Sequence, residues 1–151
     1  MLAVNGDLTS VRLQFPSHPR HISLARMLAG AVAEQGGFGP ERVADIRLLV
    51  SEACTNAVRA QQARGVVSPI TLVCREDGVF HVEIVDATGA FFDGSMTDVL
   101  PDVVGGQGEN GGFGLPLMHR IADRLSFFEN ADGGTTVTFS VRKESSSIQS
   151  S

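Results

Sequence analysis

Glu52 and Asn56 form a pair of polar residues that could take part in catalysis. They lie four apart in Leu48–Arg59, and apolar residues around them recur every three or four positions, as on one face of a helix. That spacing places the two side chains one above the other. A carboxylate that takes a proton, one turn from an amide oxygen that holds a hard cation, suits phosphoryl transfer from a magnesium-bound nucleotide. An ordinary surface glutamate and a solvated asparagine fit the same spacing.

A glycine-rich stretch, Gly105–Leu115, leads directly into a second helical pattern. Glycines let backbone N–H groups turn toward a ligand, and a helix N-terminus favours an anion. The stretch is not a P-loop, because no Gly-Lys-Ser/Thr follows and Lys143 is the only lysine of the chain. Nor is it a dinucleotide fingerprint, since no parallel strand–helix–strand unit surrounds it. Phosphate would be held here by backbone amides and a metal; the alternative is a plain linker loop.

Two further polar residues lie at the ends of predicted strands. Asp86 ends one strand, where a carboxylate can accept a hydrogen bond from the exocyclic amine of adenine, and Gly89 nearby lets a ring approach the backbone. Thr135 opens the last strand, and its hydroxyl could reach the same base through a water. A turn-forming aspartate and an ordinary β-branched strand are the alternatives.

The elements that position these residues follow from the apolar periodicity. Helices are predicted at 19–35, 40–63 and 113–122, and strands at 11–15, 70–75, 79–85, 125–129 and 135–141. The last four strands form two hairpins, so the sheet should be mostly antiparallel. The segment 87–112 shows no sustained period, and loops of this length are usually functional lids. The pattern predicts an α+β fold, a two-layer sandwich in which a mostly antiparallel mixed sheet is covered on one face by about three helices.

Composition limits the classes of partner. The 151 residues are 42% hydrophobic and 19% charged, which is typical of one globular domain. The net charge of -5, without a basic patch, argues against nucleic acid or an anionic membrane as the main partner. Cys54 and Cys74 are expected to be small buried thiols. No signal-peptide pattern and no apolar run of membrane-spanning length is present, so a cytoplasmic location is expected.

In their order along the chain, these motifs resemble those of the histidine-kinase-like ATPases (GHKL proteins, with the Bergerat fold), in particular the bacterial anti-sigma-factor serine-kinase branch. Glu52–Val58 is similar to the N-box of that family, Asp86 with Gly89 to the first glycine box, Gly112–Met118 to the second, and Gly134–Thr136 to the last. The resemblance covers 11–142, which would be the ATP-binding domain. Residues 1–10 would then be an N-terminal extension and 143–151 a disordered tail.

The resemblance implies a role for each matching residue. Glu52 would be the catalytic base that takes the proton from the attacking hydroxyl, and Asn56 would ligate a Mg²⁺ that bridges the nucleotide phosphates. Asp86 would bind the adenine amino group with support from Thr135. The remaining nucleotide-binding positions would be Gly89, Gly108, Gly111, Gly112, Phe113, Gly114 and Leu115. The implied cofactors are ATP or ADP and Mg²⁺.

The branch also implies partners. Its phosphate acceptor is a serine of a small anti-anti-sigma (STAS-type) protein, and its first helix helps to grip a sigma factor. The chain would then be an anti-sigma factor and serine-protein kinase, with Arg26 at the partner contact; an ordinary solvated arginine fits that position as well. Pairing into a homodimer is left open. The alternatives are a nucleotide-binding partner-switching regulator without kinase activity, a stand-alone sensor-kinase ATPase domain and a nucleotide-free structural protein.

Three features depart from the family pattern. The first box is usually Asp-x-Gly-x-Gly, but Thr88 stands at its first glycine, so either the loop carries an extra residue or nucleotide affinity is reduced. The histidine that often follows the N-box is replaced, and Ala60-Gln61 stands in that region. Pro116 falls in the first turn of the third predicted helix, where it is tolerated because those N–H groups have no intrahelical partner.

Overall fold

The computed structural model describes residues 3–6, 10–88 and 114–143. The strands in these ranges are β1 (Ala3–Gly6), β2 (Ser10–Phe15), β3 (Ile70–Glu76), β4 (Val79–Asp86), β5 (Arg124–Glu129) and β6 (Thr135–Arg142). The helices are α1 (Ile22–Gln35), which follows a 3₁₀ turn at Pro19–His21, α2 (Pro40–Ala63) and α3 (Gly114–Ile121). The six strands form one sheet in the order β1-β2-β3-β4-β6-β5, and every pairing among them is antiparallel.

The long helix α2 follows from local chemistry. It begins at Pro40, which is favourable at a first-turn position because that N–H would have no intrahelical partner. It ends before Gly65, whose φ of +69° suits glycine better than any other residue. Its buried face includes Val43, Ile46 and Val50, the residues that recur at three- and four-residue steps.

The core lies between the helices and one face of the sheet. Alternate residues of the strands point into it, including Leu13, Phe15, Ile70, Leu72, Phe80, Val82, Ile84, Phe139 and Val141. From α1, the small side chains of Ala25, Ala29 and Ala33 are fully buried, which lets this helix pack closely. The helices therefore form one layer and the sheet the other.

The predicted α+β sandwich is confirmed, and each predicted helix and strand has its counterpart within a few residues. The strand β1, which pairs with β2, was not predicted. The region expected to act as a lid lies mostly outside the described residues, as does the expected tail from residue 144, so both stay predictions. Within the described part of the chain, no helix is both long and apolar enough to cross a membrane. Cys54 and Cys74 are buried free thiols, as predicted.

Candidate functional site

An open cleft lies between α2, α3 and the strand ends of β4 and β6. Its empty volume is about 420 Å³, and this value includes solvent space at the open side of the cleft. It is lined by Ala53, Asn56, Ala57, Ala60, Asp86, Thr88, Met118, Phe127, Thr135 and Val137. Most of this lining is apolar and its polar side chains are few, which is the usual composition of a site for a flat organic ligand with a polar edge.

Asp86 is the acid of the cleft, and only 8% of it is exposed. The backbone N–H of Thr88 donates to its Oδ1 at 2.7 Å, and the Thr88 hydroxyl donates to the same oxygen at 3.0 Å. Burial raises the pKa of this carboxyl, while hydrogen bonds from Thr88 and from the Thr135 N–H work in the opposite direction. Asp86 is therefore a desolvated acceptor at the edge of an apolar cleft.

The end of β4 and the start of β6 meet directly at this acid. Asp86 and Thr135 are partners in the antiparallel register. A Cβ at Gly134 would collide with the carbonyl oxygen of Asp86, so only glycine lets the two backbones approach this closely. The Thr135 hydroxyl donates to the carbonyl of Thr88 at 2.7 Å, which fixes the chain just after Asp86.

Gln61 supports the same corner from α2. Its side chain is fully buried, and its Oε1 accepts from the Ala87 N–H at 2.8 Å. Its Nε2 donates to the carbonyl of Ser68 at 2.7 Å. The amide thus ties α2 both to the segment before β3 and to the residue after Asp86, and both of its ends have the partners that a buried polar group needs.

Asn56 faces α3 across the cleft. Its Nδ2 lies 4.0 Å from Sδ of Met118, a fully buried residue of α3. Its Oδ1 has no partner among the residues that the structure describes, and an amide oxygen is a ligand that Mg²⁺ accepts. No group of three or more His, Cys, Asp or Glu in the described ranges could hold a metal, so a cation at Asn56 would need oxygens from a ligand and from water. This donor set fits a nucleotide-bound Mg²⁺.

The other predicted site residues either do not line the cleft or lie where the structure does not describe their side chains. Glu52 lies one turn before Asn56 on α2 and is half-buried, but it is not among the residues that line the cleft. Arg26 is half-buried on α1, which contributes no residue to the lining. Gly114 and Leu115 form the start of α3, and the structure says nothing of their side chains. The predicted positions outside the described residues are Gly89, Gly108, Gly111, Gly112 and Phe113.

Several residues of the cleft had no predicted role. Thr88 and Gln61 stood out in the sequence only as departures from the family pattern. Met118 and Phe127 are apolar residues on a helix and a strand, and nothing in their local pattern separates a cleft residue from a core residue. The apolar lining could therefore be found only from the packing of α3 and β5 against α2 and β6.

The model of the family described as "Histidine kinase-like ATPase domain" matches residues 15–141. The chain belongs to this family. Its relatives include proteins named "Serine-protein kinase RsbW". The one from Bacillus velezensis is 30% identical over 84% of this chain and 81% of the relative, and the one from Listeria monocytogenes serovar 1/2a is 30% identical over 78% of each.

Two solved structures share the fold of this histidine kinase-like ATPase domain. One is the SiaB–SiaC complex from Pseudomonas aeruginosa, with a TM-score of 0.66, 12% identity and coverage of 86% of this chain and 88% of that chain. The other contains the RsbU and RsbW domains of Rv1364c from Mycobacterium tuberculosis, with a TM-score of 0.63 and 17% identity. The matched region covers 91% of this chain and 33% of the solved chain.

Proposed function

We propose that this protein is an ATP-dependent serine-protein kinase and anti-sigma factor. It phosphorylates a serine of an anti-anti-sigma (STAS-type) partner and sequesters a sigma factor. The observation that carries the proposal is the cleft itself, where a desolvated Asp86 stands at one end of an apolar lining and the Asn56 amide lines the same cleft. The RsbW relatives named as serine-protein kinases support the same chemistry.

Several side chains of the cleft have a part in binding the substrate. Asp86 accepts a hydrogen bond from the exocyclic amine of the adenine, and the apolar lining around Ala57 and Val137 covers the ring. Asn56 would hold the Mg²⁺ of the nucleotide through Oδ1. A bound Mg²⁺ would neutralise the charge that develops on the phosphates. The glycine positions from Gly108 to Gly114, with Leu115, would hold the phosphates through backbone N–H groups.

Glu52 is proposed as the general base. It holds the proton that leaves the serine hydroxyl while the serine oxygen bonds to the γ-phosphorus and the bond to the β-phosphate oxygen breaks, which releases ADP. Arg26 on α1 is proposed to contact the partner protein, away from the cleft. A cytoplasmic location belongs to the same proposal.

The decisive experiment is transfer of labelled γ-phosphate from ATP to a STAS-type protein from the same genome. Wild type should label one serine of that protein. Glu52→Gln keeps the size of the side chain but cannot take the proton, so transfer should fall about 100-fold or more, the usual range for a general base. ATP affinity, measured by calorimetry, should stay within about twofold, since a base that acts only in the transition state adds little to ground-state binding. Transfer at the wild-type rate in Glu52→Gln would remove Glu52 from this role.

A second candidate is a regulator that binds nucleotide without transferring phosphate. It is favoured by the position of Glu52, which does not line the cleft among the described residues. Mass spectrometry of the partner after incubation separates the two functions, because only a kinase adds a phosphate. A complex with the partner that depends on nucleotide but leaves the partner unmodified would support the regulator.

A further inference from the structure

Thr88 is a direct neighbour of the acid that is proposed to bind the base. It lines the cleft and is 3% exposed. Its N–H and its hydroxyl both donate to Oδ1 of Asp86, at 2.7 and 3.0 Å. A carboxylate oxygen offers about two lone-pair sites, so these two donors fill Oδ1.

The second oxygen of this carboxylate has room for a ligand donor. Thr135, the register partner of Asp86, lies beside the same carboxyl group. Since a carboxylate has about four lone-pair sites in all, the two donors of Thr88 leave the sites on Oδ2 for other donors. The hydroxyl proton of Thr135 is directed to the carbonyl of Thr88, so that hydroxyl offers a ligand its lone pairs.

We propose that Thr88 determines how strongly the cleft selects a 6-aminopurine, because its hydroxyl competes with the exocyclic amine of the base for the carboxylate of Asp86. The inference rests on the proposed nucleotide-binding function. A glycine at this position would leave one lone pair of Oδ1 open, whereas the threonine hydroxyl fills it before the base arrives. The amine therefore contributes less to binding here than it would with an unoccupied oxygen.

The substitution Thr88→Val tests the contribution of the hydroxyl apart from that of the rest of the residue. It preserves the branched shape and the backbone N–H and carbonyl that bond to Asp86 and Thr135, and it removes the hydroxyl donor alone. The buried Oδ1 then lacks one of its partners, and an unsatisfied buried acceptor gains more from a ligand donor than a satisfied one. Thr88→Ser is the matched control, because it keeps the donor and removes a methyl group.

The test compares two nucleotides that differ only in the amine. Dissociation constants of ATP and of purine riboside triphosphate, which lacks the 6-amino group, are measured by calorimetry at constant Mg²⁺ for wild type and both variants. The preference for ATP should rise roughly three- to tenfold in Thr88→Val, the range expected for one hydrogen bond, and stay at the wild-type value in Thr88→Ser. Wild type and Thr88→Val, each measured with the two nucleotides, form a thermodynamic cycle. This cycle isolates the competition between the hydroxyl and the amine.

Other outcomes contradict the inference. A preference for ATP that is unchanged or lower in Thr88→Val would mean that the hydroxyl does not compete with the amine. If circular dichroism shows that Thr88→Val does not fold, Thr88→Ala supplies the same comparison with a smaller side chain. A wild-type protein that binds neither nucleotide would overturn the proposed function itself, whereas one that binds ATP with an unchanged preference in the variants would overturn only the role of Thr88.

Discussion

At the scale of single residues, the cleft depends on a carboxyl group kept out of water. Asp86 accepts two hydrogen bonds from Thr88, yet burial outweighs them and raises its pKa. A protein tolerates such a group at a cost in stability where a ligand later supplies a missing partner. Asp86 is therefore the residue at which stability and ligand binding should be most closely linked.

The raised pKa makes a prediction about pH and stability. The folded protein holds the Asp86 proton to a higher pH than the unfolded chain does, so the free energy of unfolding falls as pH rises from the unfolded to the folded pKa, and it stays lowered above that. Asp86→Asn lacks this titration. Urea unfolding without nucleotide gives the free energies of unfolding of the variant and of wild type. The value for the variant minus the value for wild type should increase as pH rises through this window.

Asp77 provides the matched control with the opposite sign. The Val79 N–H and the His81 and Arg75 side chains lower the pKa of this exposed carboxyl. Its contribution to stability is present above the unfolded pKa and is lost as pH falls through the folded pKa. The Asp77→Asn difference should therefore decrease with rising pH. An Asp86→Asn difference that also decreases would contradict the assignment of burial as the dominant cause.

At the scale of elements, the site depends on the close approach of β4 and β6. Gly134 permits that approach because it has no Cβ to meet the Asp86 carbonyl. Gly39, which precedes α2, is the opposite case: its Cβ position has nothing within 4 Å. Two glycines of the same chain therefore have very different tolerances for a side chain.

Gly134→Ala should destabilise the fold and the site together. The added methyl group has to push the start of β6 away from Asp86, and such overpacking costs about 1–3 kcal/mol in the free energy of unfolding. Gly39→Ser places a side chain in open space and adds a capping hydroxyl, so its free energy of unfolding should not fall. Urea unfolding of the two variants gives the comparison. Equal stability of Gly134→Ala and wild type would mean that the strand ends do not need this contact.

At the scale of the whole molecule, the cleft joins elements that are far apart in the chain. Its lining comes from α2, β4, α3, β5 and β6. A ligand that contacts all of them stabilises the folded state as a unit, because it binds the folded chain and not the unfolded one. Nucleotide binding should therefore be visible in the global unfolding transition.

ATP with Mg²⁺ at 100 times its dissociation constant should raise the free energy of unfolding by about 2.7 kcal/mol. Asn56→Ala should reduce the part of this gain that requires Mg²⁺ and leave the part seen with ATP and EDTA, because Asn56 is proposed to bind the metal and not the base. Thermal unfolding with ATP, with and without Mg²⁺, measures both parts. Equal loss in both conditions would place Asn56 outside the metal site.

The amino-acid sequence was enough to predict every helix and strand except β1, and it also predicted the pair on α2. The limits of α2, the two hairpins and the four-residue spacing of Glu52 and Asn56 follow from periodicity and from glycine and proline, which act over a few neighbouring residues. These signals lie within short stretches of the chain, so they can be recognised without knowledge of any long-range contact. The type of fold followed from their order along the chain.

The way in which the cleft is built depends on long-range packing that became visible in the folded chain. β6 lies between β4 and β5, and its register places Thr135 opposite Asp86. The hydroxyl of Thr135 meets the carbonyl of Thr88, and Met118 meets Asn56 from a helix that is distant in the chain. No short-range pattern specifies such contacts, because they depend on register and layer packing between segments whose separation in sequence carries no period.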